Sequence, residues 1–246
     1  MNTTAFVITT ISGISTLLGF AVIWIKGDIN KSISAALGIA AGVMFFVSLF
    51  DLMPSSLIYF ESSVFIGFHV IFCLLFFAIG IVLSAYINRK INGKMDNSDS
   101  LYKIGILSMI AIIIHNVPEG IITYLTTTVQ YRTGLFLAIS IACHNIPEGI
   151  CIAAPIYYAT NSKKKTFFAL LVSSLSEPIG ALIAAIFFEK NMSMMFIAIL
   201  LSTVAGIMIS LVFTEIIPEA IKHSLKNTIL YFFIGIIAMG IAHLLF

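Results

Sequence analysis

Eight stretches of this chain are each about 20 residues long and almost wholly apolar, and they constrain the fold more than any other feature. A helix needs roughly 20 such residues to cross the ~30 Å hydrocarbon core of a bilayer. Lipid offers no partners for backbone N–H and C=O groups, so such runs must form helices that satisfy themselves. The runs lie at 5–25, 33–53, 64–87, 101–127, 133–158, 166–188, 192–217 and 228–246. They leave no room for a soluble domain, so 1–246 reads as one transmembrane domain, an all-α polytopic membrane protein. Only 10% of the residues are charged, where soluble domains carry about 25%. A chain this poor in charge presents no nucleic-acid surface, and its large partner is the lipid bilayer.

The breaks between runs are short and polar: "KGDINK", "NRKINGKMDNSDS", "TNSKKK". Lys26, Lys31, Arg89, Lys90, Lys94, Lys103, Lys163, Lys164, Lys165, Lys222 and Lys226 gather at alternate loops, against only Arg132 and Lys190 on the other side. The positive-inside rule then makes the first set cytoplasmic and both termini extracytoplasmic. "MNTTAFVITT" has no basic residue ahead of its apolar run, so the first helix is expected to stay in the protein. Cys73, Cys143 and Cys151 lie in apolar segments and read as small buried hydrophobes.

Two of these runs carry polar residues that lipid penalises. "IHNVPEGIITY" (114–124) and "CHNIPEGICIA" (143–153) repeat one motif at a spacing of 29 residues. With "SSLSEPIGA" (173–181), they bring His115, Asn116, Glu119, His144, Asn145, Glu148 and Glu177 to mid-membrane depth. Ionisable residues at that depth mark function. His at i and Glu at i+4 share a helix face. Pro118 and Pro147 deprive the carbonyls of Ile114 and Cys143 of their helical partners, which predicts broken helices lining a polar cavity. Imidazole with carboxylate suits Zn²⁺, Fe²⁺, Mn²⁺ and similar ions. A divalent cation is also the natural counter-charge for three clustered glutamates. His69, His223 and His243 stand singly and read as packing residues, as do Met192, Met194 and Met195.

A second repeat is less obvious. "AGVMFFVSLFDLMP" (41–54) aligns without a gap on "AGIMISLVFTEIIP" (205–218), with Met fourth, a carboxylate eleventh and Pro fourteenth. The two copies sit in runs of opposite direction, as do the two HN-x-PEG copies. That is the pattern of an inverted repeat, a transporter signature. Asp51 then falls near the outer end of its helix and Glu215 near the inner end of its own, as pathway carboxylates. Met44 lies at mid-depth, where its thioether could be a soft ligand.

The paired "HNVPEG" and "HNIPEG", the eight spans, the outside termini and the "SEP" resemble the ZIP (Zrt-/Irt-like) metal transporters, specifically the bacterial ZupT/GufA-like branch, over essentially the whole chain. The resemblance implies uptake of divalent metal, zinc first with iron, manganese, cobalt or cadmium also considered, across a bacterial inner membrane toward the cytoplasm. It implies a binuclear site: His115, Glu119, His144, Glu148 and Met44 around one metal, and Asn116, Glu119, Asn145, Glu148 and Glu177 around the other. It implies elevator-like alternation of two helix sets and allows a homodimer. Metal is substrate here, and no cofactor is expected. Two departures stand out. The 88–100 loop has no histidine, and Asn145 stands where some members have Asp.

The competing reading is an intramembrane metal-dependent hydrolase, in which bound metal would activate water. HExxH is absent, and the symmetric glutamates leave no distinct base. A sensor would need an extramembrane domain. No GxxxxGK[ST] phosphate loop is present, so transport would proceed without nucleotide hydrolysis.

Overall fold

A computed structural model describes residues 1–24, 28–62, 67–92, 100–188 and 193–245. Lys26, Lys94, Lys190 and Met192 lie outside these residues. All regular structure among the described residues is helical. Seven helices are long and apolar enough to cross a membrane: α1 (Thr3–Trp24), α2 (Asn30–Glu61), α3 (His69–Lys90), α4 (Leu101–Val129), α5 (Tyr131–Thr160), α6 (Lys163–Phe188) and α7 (Met194–Leu244).

The expected runs at 192–217 and 228–246 are thus joined in α7, which is 51 residues long. At ~1.5 Å per residue a straight helix of that length would far exceed the bilayer core. It is not straight. Ser224 leaves the helical region (φ −170°, ψ 107°) and divides α7 into a first arm (194–223) and a second arm (225–245). Helical hydrogen bonding resumes at once on either side, so no loop separates the arms.

The helices sort into two groups. α1, α4, α5 and α6 pack on one another. α2 packs along the second arm of α7, and α3 along the first arm. The groups meet where α2 touches α5 and where α4 touches the first arm. In lipid, helix association depends on close backbone approach rather than on water exclusion, and small residues permit it. The crossings here are built on glycine. Gly42 of α2 and Gly235 of the second arm each face the other helix's backbone, and Gly206 of the first arm and Gly80 of α3 do the same. Within the other group, Gly120 of α4 and Gly180 of α6 form one crossing, and Gly149 of α5 and Gly19 of α1 another. None of these positions has room for a Cβ.

The prolines correct one expectation. The helices are not broken at Pro118 or Pro147: α4 and α5 run through both, and through Pro155. α1 hydrogen-bonds to α5 close by, where Ser15 Oγ donates to the carbonyl of Ala142, the residue before the Cys143 whose carbonyl Pro147 frees, at 3.0 Å. Backbone distortion appears instead beside Pro54 and Pro218. There α2 and α7 widen into π-helix over Val47–Leu52 and Val212–Ile216. The N–H of Met53 reaches back five residues to Ser48, and that of Ile217 five residues to Val212.

Candidate metal site

The two HN-x-PEG motifs meet where α4 crosses α5, and they pair crosswise. His115 Nε2 lies 2.9 Å from Glu148 Oε1, and His144 Nε2 lies 3.4 Å from Glu119. Each histidine therefore faces the glutamate of the other copy. Sequence spacing places His and Glu of one copy on the same helix face, but the antiparallel crossing makes the partner's Glu the nearer one.

α6 closes the cluster. Gly120 sits against the backbone of Glu177, which brings that carboxylate to α4. Asn145 Nδ2 donates to Glu177 Oε1 and, at 3.0 Å, to the carbonyl of Ser12 on α1. Ser12 and Ser15, which tie α1 to α5, carried no signal in the sequence beyond being small hydroxyls. Five of the seven residues, His115, Asn116, Asn145, Glu148 and Glu177, are wholly inaccessible to solvent. Glu119 is 2% exposed and His144 3%.

Several polar atoms in this cluster lack partners among the described residues. They include both amide atoms of Asn116, Glu148 Oε2, Glu177 Oε2, Asn145 Oδ1 and the Nδ1 atoms of both histidines. A buried unpaired polar atom costs roughly 1–3 kcal/mol, so such a concentration points to a bound partner. The free donors are carboxylate and amide oxygens and imidazole nitrogens, the set a borderline divalent cation takes. Among the described residues, no three His, Cys, Asp or Glu side chains already converge as a metal-holding group. The His–Glu pairs close on each other, so cation binding would require them to part.

A cavity of about 300 Å³ reaches this cluster from one side. Glu119 and His144 form its floor, and Ser140, Ile141 and Phe136 part of its wall. Asp51 and His243 also line it. Asp51 Oδ1 is 2.6 Å from His243 Nδ1. His243 also packs against Phe46, as the packing expectation had it, but its carboxylate partner was missed. Met44 is fully buried in the apolar cluster that contains Ile112, Cys151 and Met208, two of them one turn from the site histidines or glutamates. Glu215 is not among the residues that line that cavity; it pairs with Asn88, whose Nδ2 donates to Glu215 Oε1 at 3.3 Å.

The model of the family described as "ZIP Zinc transporter" matches residues 89–243. The chain belongs to the ZIP family. The matched stretch of this ZIP protein holds both HN-x-PEG copies, Glu177 and Glu215, while Met44 and Asp51 precede it. The curated relatives extend the likeness to almost the full length. The "Zinc transporter ZupT" of Streptococcus mutans is 34% identical, over 99% of this chain and 97% of its own. The "Zinc transporter ZupT" of Akkermansia muciniphila is 36% identical over 87% of each. The "Protein zntB" of Dictyostelium discoideum is 32% identical over 89% of this chain and 76% of its own. The two ZupT relatives are zinc transporters by name, as is the family, and the hydrolase reading is set aside: this is a multi-pass membrane transporter, not an enzyme.

Proposed function

We propose that this protein carries divalent metal cations, zinc foremost, across a bacterial inner membrane into the cytoplasm, through the site where α4, α5 and α6 meet. The observation that carries the reading is the crosswise pairing of two histidines with two glutamates in a fully buried cluster rich in unpartnered donor atoms. A cation entering from the cavity meets Glu119 and His144 first. It displaces the His–Glu contacts because a doubly charged ion in a low-dielectric pocket attracts both carboxylates more strongly than a neutral imidazole does.

Two metals fit the donor count. His115, Glu119, His144 and Glu148 surround one, with Met44 as a soft addition. Asn116, Glu119, Asn145, Glu148 and Glu177 surround the other, with the two glutamates bridging. Asp51 and Glu215 serve as outer and inner pathway carboxylates. The chain crosses the membrane eight times, the arms of α7 counting separately, with both termini outside. The matched crossings support an inverted repeat that exchanges α2 with the first arm, α3 with the second arm, α4 with α5, and α1 with α6. The grouping of α1, α4, α5 and α6 against the rest supports elevator-like alternation, one group sliding on the other.

The test is uptake of radioactive zinc into sealed proteoliposomes holding the purified protein, with Glu148→Ala alongside. Saturable uptake that disappears in the variant is expected. Zinc that binds stoichiometrically yet never enters the vesicle would overturn the reading.

A further inference from the structure

Two contacts at opposite ends of the pathway occupy matched places. Asp51 and Glu215 are each the eleventh residue of the aligned stretches 41–54 and 205–218. Each lies within a π-helical turn. Their partners are matched as well. Gly80 is the point where α3 meets the first arm of α7, and Gly235 the point where the second arm meets α2. Asn88 stands eight residues after Gly80, and His243 eight residues after Gly235. One geometric frame therefore delivers one side chain to each carboxylate: His243 to Asp51 at 2.6 Å, and Asn88 to Glu215 at 3.3 Å.

The delivered groups differ in chemistry. Imidazole offers a borderline nitrogen that binds zinc-like cations well. An amide offers one neutral oxygen, a poor ligand for such ions and better suited to hard ones. The surroundings differ in the same sense. Asp51 and His243 line the cavity together with Glu119 and His144, and Asp51 Oδ2 has no partner among the described residues. Glu215 instead lies within the field of two cations, Lys103 and Lys222, and one carboxylate, Glu219, which Lys222 pairs at 2.7 Å; the remaining charge of Lys103 opposes retention of a further cation.

We propose that His243 and Asn88 are matched cation-handling residues whose difference gives the two faces of the transporter unequal apparent affinity for zinc-like divalent cations. Asp51 with His243 holds the ion at the cavity mouth; Glu215 with Asn88 holds it weakly and releases it. This rests on the transport reading above. An uncoupled carrier cannot rectify, because the ratio of maximal rate to half-saturation must be equal in both directions at equilibrium. The asymmetry therefore shows as a low half-saturation and a low maximal rate from the His243 face, and high values of both from the Asn88 face.

The experiment measures zinc flux from each face separately, using vesicles of known protein orientation and buffered free zinc. His243→Asn and His243→Phe should raise half-saturation from the cavity face by about tenfold or more, the scale on which even outer-shell partners of a bound metal act. His243→Asp exchanges one ligand for another and should restore most of the loss. Asn88→His should lower half-saturation from the opposite face, a gain that misfolding cannot mimic. Zinc titration of the central site should give the wild-type stoichiometry in all four. His243→Phe keeps an aromatic ring against Phe46; wild-type behaviour from both faces would overturn the inference and leave His243 a packing residue. Equal shifts from both faces would overturn it too. If Glu119→Ala is inactive while His243→Phe is unaffected, the inference alone falls. If wild-type vesicles move no divalent cation, the transport reading itself fails.

Discussion

The prolines of α4 and α5 and those of α2 and α7 do opposite things to the same kind of helix. Pro118 and Pro147 sit inside the HN-x-PEG motifs, yet the helix continues through both. Pro54 and Pro218 each follow a π-helical turn in which one N–H reaches back five residues. A proline removes a donor and crowds the carbonyl four residues earlier wherever it stands. What differs is the surroundings. Around Asn145 and Pro147, α1 packs close enough to hydrogen-bond: the Ser12 carbonyl accepts from Asn145 Nδ2, and the Ser15 hydroxyl donates to the Ala142 carbonyl. Asp51 and Glu215 border a cavity mouth and a charged rim, and there the helix rearranges its own hydrogen bonds. π-turns of this kind are frequent at functional positions. The central residues are thus held by neighbouring helices, and Asp51 and Glu215 by a local change of helical pitch.

Substitutions can break this contrast in order of severity. Glu119→Ala or Glu148→Ala should abolish zinc uptake, because each glutamate faces a histidine of the other helix at the centre of the buried cluster; transport assays check this directly. Asp51→Ala should leave measurable uptake at high zinc. Next come the crossings. Gly149→Ala and Gly42→Ala place a Cβ into opposing backbone and should destabilise by about 1–3 kcal/mol, the usual range for overpacking. Gly240→Ala, whose Cβ would meet only the Phe46 ring at 3.4 Å, should be close to neutral. Thermal unfolding in detergent distinguishes them.

A smaller effect is expected from Asn145→Asp. The change removes the Nδ2 donation to Glu177 and sets a second carboxylate beside it. The metal-free protein should melt lower than wild type, and added zinc should raise its melting temperature by more, since a ligand that binds only the folded state stabilises it by mass action. The gentlest test is Pro54→Ala. Restoring the missing N–H should let the π-turn over Val47–Leu52 relax, which amide exchange over those residues would report as slower opening. Central zinc binding should be nearly untouched.

Much of this architecture is legible in the sequence because lipid enforces a simple rule: a run of about 20 apolar residues has to be a helix. The HN-x-PEG copies and Glu177 are equally plain, since polar groups in such runs have few structural uses. The crosswise His–Glu pairing is not plain. It depends on the rotation of α4 against α5, which no spacing within one motif fixes. His243 was passed over for a related reason. A single histidine near the end of an apolar run looks like packing until Gly235 is known to cross α2 and its match to Gly80 can be counted. The join between the last two runs escaped notice because hydropathy registers the polar stretch around Lys222 and Lys226 and is blind to whether its backbone stays helical.

That join has a consequence for biosynthesis. The arms of α7 are separated by one extended residue, Ser224, and by no loop at which the growing chain could pause. The second arm is the last helix to be made, so α2, synthesised much earlier, can meet the Gly235 face it packs against only at the end. The last quarter of the chain is therefore what completes the first, and a polypeptide truncated before Ser224 would leave α2 in the membrane with its glycine face bare.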